Sequence, residues 1–411
     1  MHYQTLRLFI LFNLFLYPMI GFSQELYADY IDQARQIAQE IIITDGHVDF
    51  PYRFRSIHGE ITENNQEYAI RFPRAEFDYE KAKEGGLDAP FMSAYIPASY
   101  QNTDGGRALA DSLIAFVEWM IDAYPDRYAP GNTPAQIEEN KKQGLISLPI
   151  GLENGAPIGD DLDNVNYFFE RGIRYVTLTH SKYNQICDSS YDQDRKWNGL
   201  SPFGHEVVRR MNEVGMMIDV SHISDSAFYQ VIKTTKTPVI ASHSSCRKFT
   251  PGFERNMSDD MIRALKDNGG VIQINFGTDF LDGEVSDNRN EFQSAWRKHL
   301  LDNDISPDDP NIATIRAQFL TSFGRPIYST VYKVADHIDH VVDIAGIDYV
   351  GLGSDFDGVG DSLPIGLKTV KDIPNLIAEL LRRGYSREDI EKICYKNVWR
   401  VWNEVLDYAR N

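Results

Sequence analysis

Eight short apolar runs punctuate the chain, at residues 41–44, 89–96, 145–152, 174–179, 215–221, 237–242, 269–276 and 349–354. Between most of them lie stretches with apolar residues at helical spacing, at 106–124, 161–171, 202–214, 225–233 and 258–267. Strands alternating with amphipathic helices indicate βαβ units and a parallel sheet. The runs are continuously apolar rather than alternating, which suits strands covered on both faces. Eight of them predict a closed (β/α)8 barrel of the TIM type in preference to an open sheet. A helix over 30–40 leads into the first run, and another over 386–409 closes the chain, opened by Ser386 with Asp389 at capping-box spacing. Two longer segments, 52–86 and 278–326, read as insertions in βα loops, where a barrel builds its selectivity. No repeat, low-complexity tract or linker divides residues 24–411, so they are expected to form one barrel domain.

Composition narrows the partners. A formal charge of −19 opposes a phosphate backbone and sets nucleic acid aside. Residues 1–23 read as a secretory signal peptide: Arg7, an apolar run from Leu8 to Ile20, then Gly21-Phe22-Ser23. That run is short for a membrane span and no basic cluster follows it, while residues 401–411 are charged and show no lipid-anchor signal. An exported protein, periplasmic or secreted and without a stable membrane anchor, is expected. Cys187, Cys246 and Cys394 are too few and scattered for a disulfide framework or a thiolate metal site, and are expected to pack.

The chemistry stands just after the apolar runs. The first ends in Asp45-Gly46-His47-Val48-Asp49, the third in Glu153, the fourth in His180, the fifth in His222, the sixth in His243 and the eighth in Asp355. Alone, each is more often a structural residue or a helix cap than a ligand. In a barrel, however, the C-terminal strand ends converge on one mouth whatever their separation in sequence. His47 and Asp49 are two apart, so an extended strand points both to one side, where they can grip an ion. His222 and His243 offer an imidazole pair from adjacent strands, and Glu153 has two oxygens with which to bridge two ions. Imidazole and carboxylate without thiolate suit zinc first, with manganese, iron or cobalt also allowed. Two ions about 3.5 Å apart would hold a bridging water and lower its pKa toward about 7, which makes hydrolysis the reaction class. Asp355 is the candidate general acid/base and His180 the candidate donor to an oxyanion. Ser242, Ser244 and Ser245 flank His243 without a GxSxG elbow and are expected to cap or pack. His337 and His340, with Asp336 and Asp339, read as a solvated helix face.

Several segments together resemble the membrane dipeptidase family, also called renal dipeptidase, over nearly the whole mature chain. They are Asp45-Gly46-His47-Val48-Asp49-Phe50-Pro51, Leu178-Thr179-His180, Gly199-Leu200-Ser201-Pro202-Phe203-Gly204, Met217-Ile218-Asp219-Val220-Ser221-His222, Ser242-His243-Ser244-Ser245, Glu254-Arg255-Asn256 and Gly351-Leu352-Gly353-Ser354-Asp355-Phe356-Asp357-Gly358. The resemblance implies a TIM-like barrel with two zinc ions, His47 and Asp49 on one, His222 and His243 on the other, Glu153 bridging. It assigns Asp355 to acid/base work, His180 to the intermediate and Arg255 to the terminal carboxylate of a dipeptide. It also implies tolerance of a D-residue at the C-terminal position, and a homodimer. The chain departs from the mammalian members after its seventh strand, where Gly277-Thr278-Asp279-Phe280 opens a long insertion in place of a tyrosine-bearing loop. It also has Ser181-Lys182 after His180, where those members carry a cysteine. Two other readings compete: a barrel amidohydrolase on a non-peptide amide or ester, and a catalytically silent binding protein that kept the fold. Arg255 discriminates the first, being useful only to a substrate that ends in a carboxylate, and the intact ligand set argues against the second.

Overall fold

The computed structural model describes residues 27–101, 103 and 105–411, so the expected signal peptide lies outside the described residues. Its strands are β1 (Thr44–Val48), β2 (Ala89–Tyr95), β3 (Tyr128–Pro130), β4 (Ile146–Leu148), β5 (Ile150–Glu153), β6 (Ile173–Thr177), β7 (Met217–Asp219), β8 (Ile240–Ala241), β9 (Val271–Ile274) and β10 (Val350–Leu352). Eight of these pair in the order β1-β2-β5-β6-β7-β8-β9-β10, and every ladder is parallel. The ring closes at its C-terminal end, where Asp355 N donates to His47 O at 3.1 Å and Asp49 N to Phe356 O at 2.8 Å. This is the expected (β/α)8 barrel, and its closing seam draws Asp355 against His47 and Asp49.

Local chemistry explains where the elements start and where the expectations shift. Ser201, Ser224 and Ser258 each accept a hydrogen bond from the backbone N–H three residues on, which starts the helices Pro202–Val214, Asp225–Thr234 and Asp259–Asn268. The run 145–152 divides at Pro149, which has no N–H to give to a ladder. Its first half, β4, pairs with β3 outside the barrel, and its second half, β5, enters the barrel. The first strand covers Thr44–Val48, later than the apolar run 41–44, and is buried throughout. Its polar residues are tied down instead of solvated, since Asp45 Oδ1 accepts from His47 N and from Ser354 N.

The barrel interior is packed. Phe91, Tyr175, Met217, Ile240 and Val271 form a buried cluster with Val398, Trp399, Trp402 and Val405 of the helix Asn397–Arg410, which plugs the N-terminal end. The Tyr175 ring lies over Gly151, where a Cβ would sit 2.1 Å from it, so the ring requires glycine there. With one end plugged, the C-terminal mouth is left for chemistry. The closing helix begins at the Ser386 capping box, as expected, but is broken into Arg387–Glu391, a π-helical turn Lys392–Lys396 and Asn397–Arg410.

One expectation is filled in and one changes. The segment 278–326 lies between β9 and the helix Val331–Ala345, as a βα insertion should, and is largely helical: Gly283–Asp302 and Ile312–Phe323 gather on a small core of Phe292, Trp296 and Ile327, while Leu281 of Thr278–Leu281 packs into the main core. His337 and His340 are not on a solvated face, because the helix Val331–Ala345 is covered on that side and both are buried. His337 Nδ1 accepts from Cys246 N at 3.0 Å and its Nε2–H donates to Leu281 O at 2.9 Å, while burial pushes its pKa down to about 3. His340 bridges Asp259 and Lys248, so both imidazoles hold structure together. The three cysteines are free and buried. No helix among the described residues is long and apolar enough to cross a membrane.

Candidate metal centre

The strand ends deliver their side chains to one point. His47 Nε2 lies 3.4 Å from Asp49 Oδ2 and 3.3 Å from Glu153 Oε2. On its other side, Glu153 Oε1 lies 3.1 Å from His222 Nε2, 3.3 Å from His243 Nε2 and 3.5 Å from His180 Nε2. Asp355 joins His47 and Asp49 in a group whose potential ligand atoms lie within 4.8 Å of one another. Six of the seven residues are buried, and His180 is partly exposed. His222 and Asp355 both adopt the left-handed backbone region, φ 69° and 62°, which non-glycine residues rarely enter and which turns their side chains inward here.

The atoms left over fit divalent cations. His47 Nε2 and Asp49 Oδ1 are buried with no hydrogen-bond partner, and the Nε2 atoms of His222 and His243 stand only 2.8 Å apart beside Glu153. Ring nitrogens and carboxylate oxygens crowded together without protein donors between them are a ligand set for metal.

A deeper layer, not picked out from the sequence, sets the imidazoles. Tyr175 Oη donates to Gly46 O at 3.1 Å and so accepts from His47 Nδ1 at 2.8 Å, leaving His47 Nε2 bare toward the centre. Ser242 Oγ donates to Asp219 Oδ2 at 2.6 Å and accepts from His243 Nδ1 at 2.7 Å, with the same result for His243. Asp219 also accepts from the backbone N–H groups of Ser221 and Ser242 and from Thr177 Oγ1. Ser242 was expected to cap or pack; it instead relays a carboxylate to a ligand, the outer arrangement typical of metal-binding histidines. Asn275 Nδ2 holds Asp355 Oδ2 at 2.7 Å.

Burial lowers the pKa of His180, His222 and His243, the last to about 3, and the nearby Arg255 charge adds to this. These rings are therefore neutral, the form that ligates. Burial alone would raise the Glu153 carboxyl, but the His47 ring, whose own pKa is pushed up against burial by Tyr175, Glu153 and Asp49, and the hydrogen bonds of His222 and His243 hold it well below the ordinary range. Asp355 is raised by burial, and the charges of Asp49 and Glu153 add to the rise against the pull of His243.

Above the centre opens a cavity of about 530 Å3, a size that suits a small ligand. Arg255 lies behind the cavity wall, only 3% exposed, with its guanidinium 5.2 Å from the centroid of the lining ring of Phe280. Nη1 donates to Ser244 Oγ at 2.6 Å and Nη2 to His243 O at 2.8 Å, while Nε is buried without a partner. Its neighbours in sequence anchor the loop: Glu254 accepts from Asp225 N and pairs with Arg195, and Asn256 bonds Ser245, Thr250 and Phe280.

Gly358 is the tightest point of the mouth. A Cβ there would lie 2.1 Å from Asp355 Oδ1 and 2.2 Å from Asp49 Oδ2. Gly358→Ala is therefore expected to push both carboxylates off the centre and to speed metal loss to a chelator at least tenfold. Unchanged metal retention and turnover in this variant would show that the carboxylates can yield at no cost.

Comparison with known proteins agrees with this geometry. The family model described as Membrane dipeptidase (Peptidase family M19) matches residues 31–411. The dipeptidase verJ of Clonostachys rogersoniana is 33% identical over 390 residues, covering 93% of this chain and 88% of that protein. The crystal structure of the probable dipeptidase PvdM from Pseudomonas aeruginosa matches with a TM-score of 0.77 and 26% identity, covering 93% of this chain and 100% of that one. A metallopeptidase from Rhodobacter sphaeroides, liganded with a phosphinate mimic of L-Ala-D-Ala, shares the fold with a TM-score of 0.72 at 23% identity, covering 89% and 99% of the two chains. The chain belongs to the membrane dipeptidase family.

Proposed function

We propose that this metallodipeptidase works with two zinc ions, His47 and Asp49 on one, His222 and His243 on the other, and Glu153 between them. The observation that carries the reading is the set of Glu153: Oε2 faces His47 while Oε1 faces His222 and His243, one oxygen to each donor set. Imidazole and carboxylate without thiolate favour zinc. Bound there, the metals supply a Lewis acid for the scissile carbonyl and make a water acidic enough to react near neutral pH.

The chain's own residues orient the substrate and handle the proton. Asn275 holds Asp355 Oδ2, which leaves Oδ1 to take a proton and give it to the leaving nitrogen. His180 lines the cavity and donates to the carbonyl oxygen as charge develops on it. Arg255 binds the free carboxylate of the dipeptide through charge-assisted hydrogen bonds, since its donors to Ser244 and His243 leave others unused. That anchor sets the distance to the scissile bond and so excludes longer peptides. The proposal extends to a D-residue at the C-terminal position, in keeping with the L-Ala-D-Ala mimic in the Rhodobacter sphaeroides structure. It also extends to export, on the signal-peptide pattern of residues 1–23.

The test crosses wild type and Arg255→Ala with a dipeptide and its C-terminal amide. The variant is expected to lose roughly 2 to 5 kcal/mol in kcat/KM on the free acid, the range for removing one partner of a desolvated charge pair, and far less on the amide. Equal losses on both would take the carboxylate away from Arg255 and favour a non-peptide amide or ester as substrate.

A further inference from the structure

The helix Phe50–His58 runs from Asp49 along the rim of the cavity and lines it with Tyr52, Arg53 and Ser56. Arg53 Nε is buried with no acceptor, and the one hydrogen bond of its side chain among the described residues is Nη2 to Arg74 O at 3.5 Å, the outer limit for such a bond. The residue is half-buried and only its Nε is shut off from water, so an acceptor on a bound ligand can satisfy that atom without breaking a bond the protein already makes.

The carboxylates on the same wall do not serve it. Asp357 accepts from the backbone N–H groups of Glu76 and Phe77, Asp279 accepts from Ser286 Oγ, and Asp49, Glu153 and Asp355 face the metal centre. Arg53 also stands on a different sector of the mouth from Arg255. It follows β1, whereas Arg255 follows β8, and β9 and β10 lie between those strands in the ring. With its C-terminal carboxylate on Arg255 and its peptide bond over the centre, a dipeptide would extend its N-terminal residue away from Arg255, toward the sector of the wall that Arg53 lines.

We infer that Arg53 is a specificity residue that selects an acidic side chain, glutamate or aspartate, on the N-terminal residue of the substrate. The inference rests on the dipeptidase reading and on the orientation set by Arg255. A planar guanidinium takes a side-chain carboxylate through two parallel charge-assisted hydrogen bonds, which a neutral amide of the same shape cannot match.

The test measures kcat/KM of the metal-replete enzyme on Glu-Ala, Gln-Ala, Lys-Ala and Ala-Ala, with Ala-Glu and Ala-Gln as the reversed pair. Wild type is expected to favour Glu-Ala over Gln-Ala by roughly tenfold or more, the scale of a hydrogen bond to a charged group, mostly through KM. Arg53→Gln should bring that ratio to about one, Arg53→Lys should keep part of it, and Arg53→Glu should turn the preference toward Lys-Ala. Metal content and circular dichroism of each variant establish that it is folded, and the ratio within one variant is independent of its overall activity. An active enzyme indifferent to Glu against Gln overturns the assignment, as does a ratio that survives Arg53→Gln. A preference that appears only for Ala-Glu over Ala-Gln overturns the placement at the N-terminal residue. A metal-replete wild type that hydrolyses none of these dipeptides, Ala-Ala included, sinks the dipeptidase reading itself, which is a distinct result.

Discussion

Glu153→Ala is expected to strip the protein of both metals after dialysis that leaves the wild type with two per chain, and to abolish dipeptide hydrolysis. Each carboxylate oxygen faces a different donor set, Oε2 that of His47 and Oε1 that of His222 and His243, so one substitution removes a ligand from two positions. It also removes the negative charge nearest the ring nitrogens. His222 and His243 would then face each other at 2.8 Å with neither a cation nor a carboxylate between them, and the pair is expected to spread. Elemental analysis decides the matter. A variant that keeps one full equivalent would show that Glu153 serves a single position. A fully active wild type with one tightly bound metal would remove the binuclear mechanism.

What could be read in the sequence, and what could not, follows from where each residue finds its partner. His47, Asp49, Glu153, His180, His222, His243 and Asp355 were readable because the barrel rule concerns the ends of strands, and continuous apolar runs separated by helical stretches reveal those ends without any knowledge of contacts. Arg255 needed the family resemblance, since nothing in a loop arginine distinguishes it from a surface one. The layer behind the ligands was hidden for a different reason. Tyr175 lies inside an apolar run and reads as packing, although its hydroxyl orients His47. Asp219 meets Thr177 across 42 residues of sequence and Ser242 across 23, and no local periodicity encodes such meetings. Asn275 carries no signal of its own, since a lone amide at a strand end is neither a ligand nor an acid/base type, although it holds Asp355. The error at His337 has the same origin: polar residues at helical spacing suggest water, and here the interior supplies Cys246 N and Leu281 O instead. The segment 278–326 was too rich in Asp and Asn to show its helices, whose few apolar side chains converge only in three dimensions on Phe292 and Trp296.

Asp355→Asn is expected to keep both metals and lose about 10²-fold or more in kcat, with a smaller change in KM, the scale for removing a general acid/base. The substitution preserves shape. Asn275 Nδ2 now donates to Asp355 Oδ2, so the new amide must turn its carbonyl oxygen to that donor and its NH2 to the place of Oδ1. There the NH2 lies on the side of the Asp49 carboxylate, within 4.8 Å of it, and takes the space of the oxygen it replaces. What is lost is the ability to hold and release a proton at that atom. The wild-type carboxyl suits the task because burial raises its pKa, with Asp49 and Glu153 adding to the rise, so it retains a proton to higher pH than an exposed aspartate. The competing role is visible in the same geometry, since Asp355 forms a ligand-competent group with His47 and Asp49. The two roles part company in one experiment. Two metals per chain with slow turnover mark proton transfer, whereas loss of one metal together with activity marks Asp355 as a ligand, and its acid/base assignment then fails.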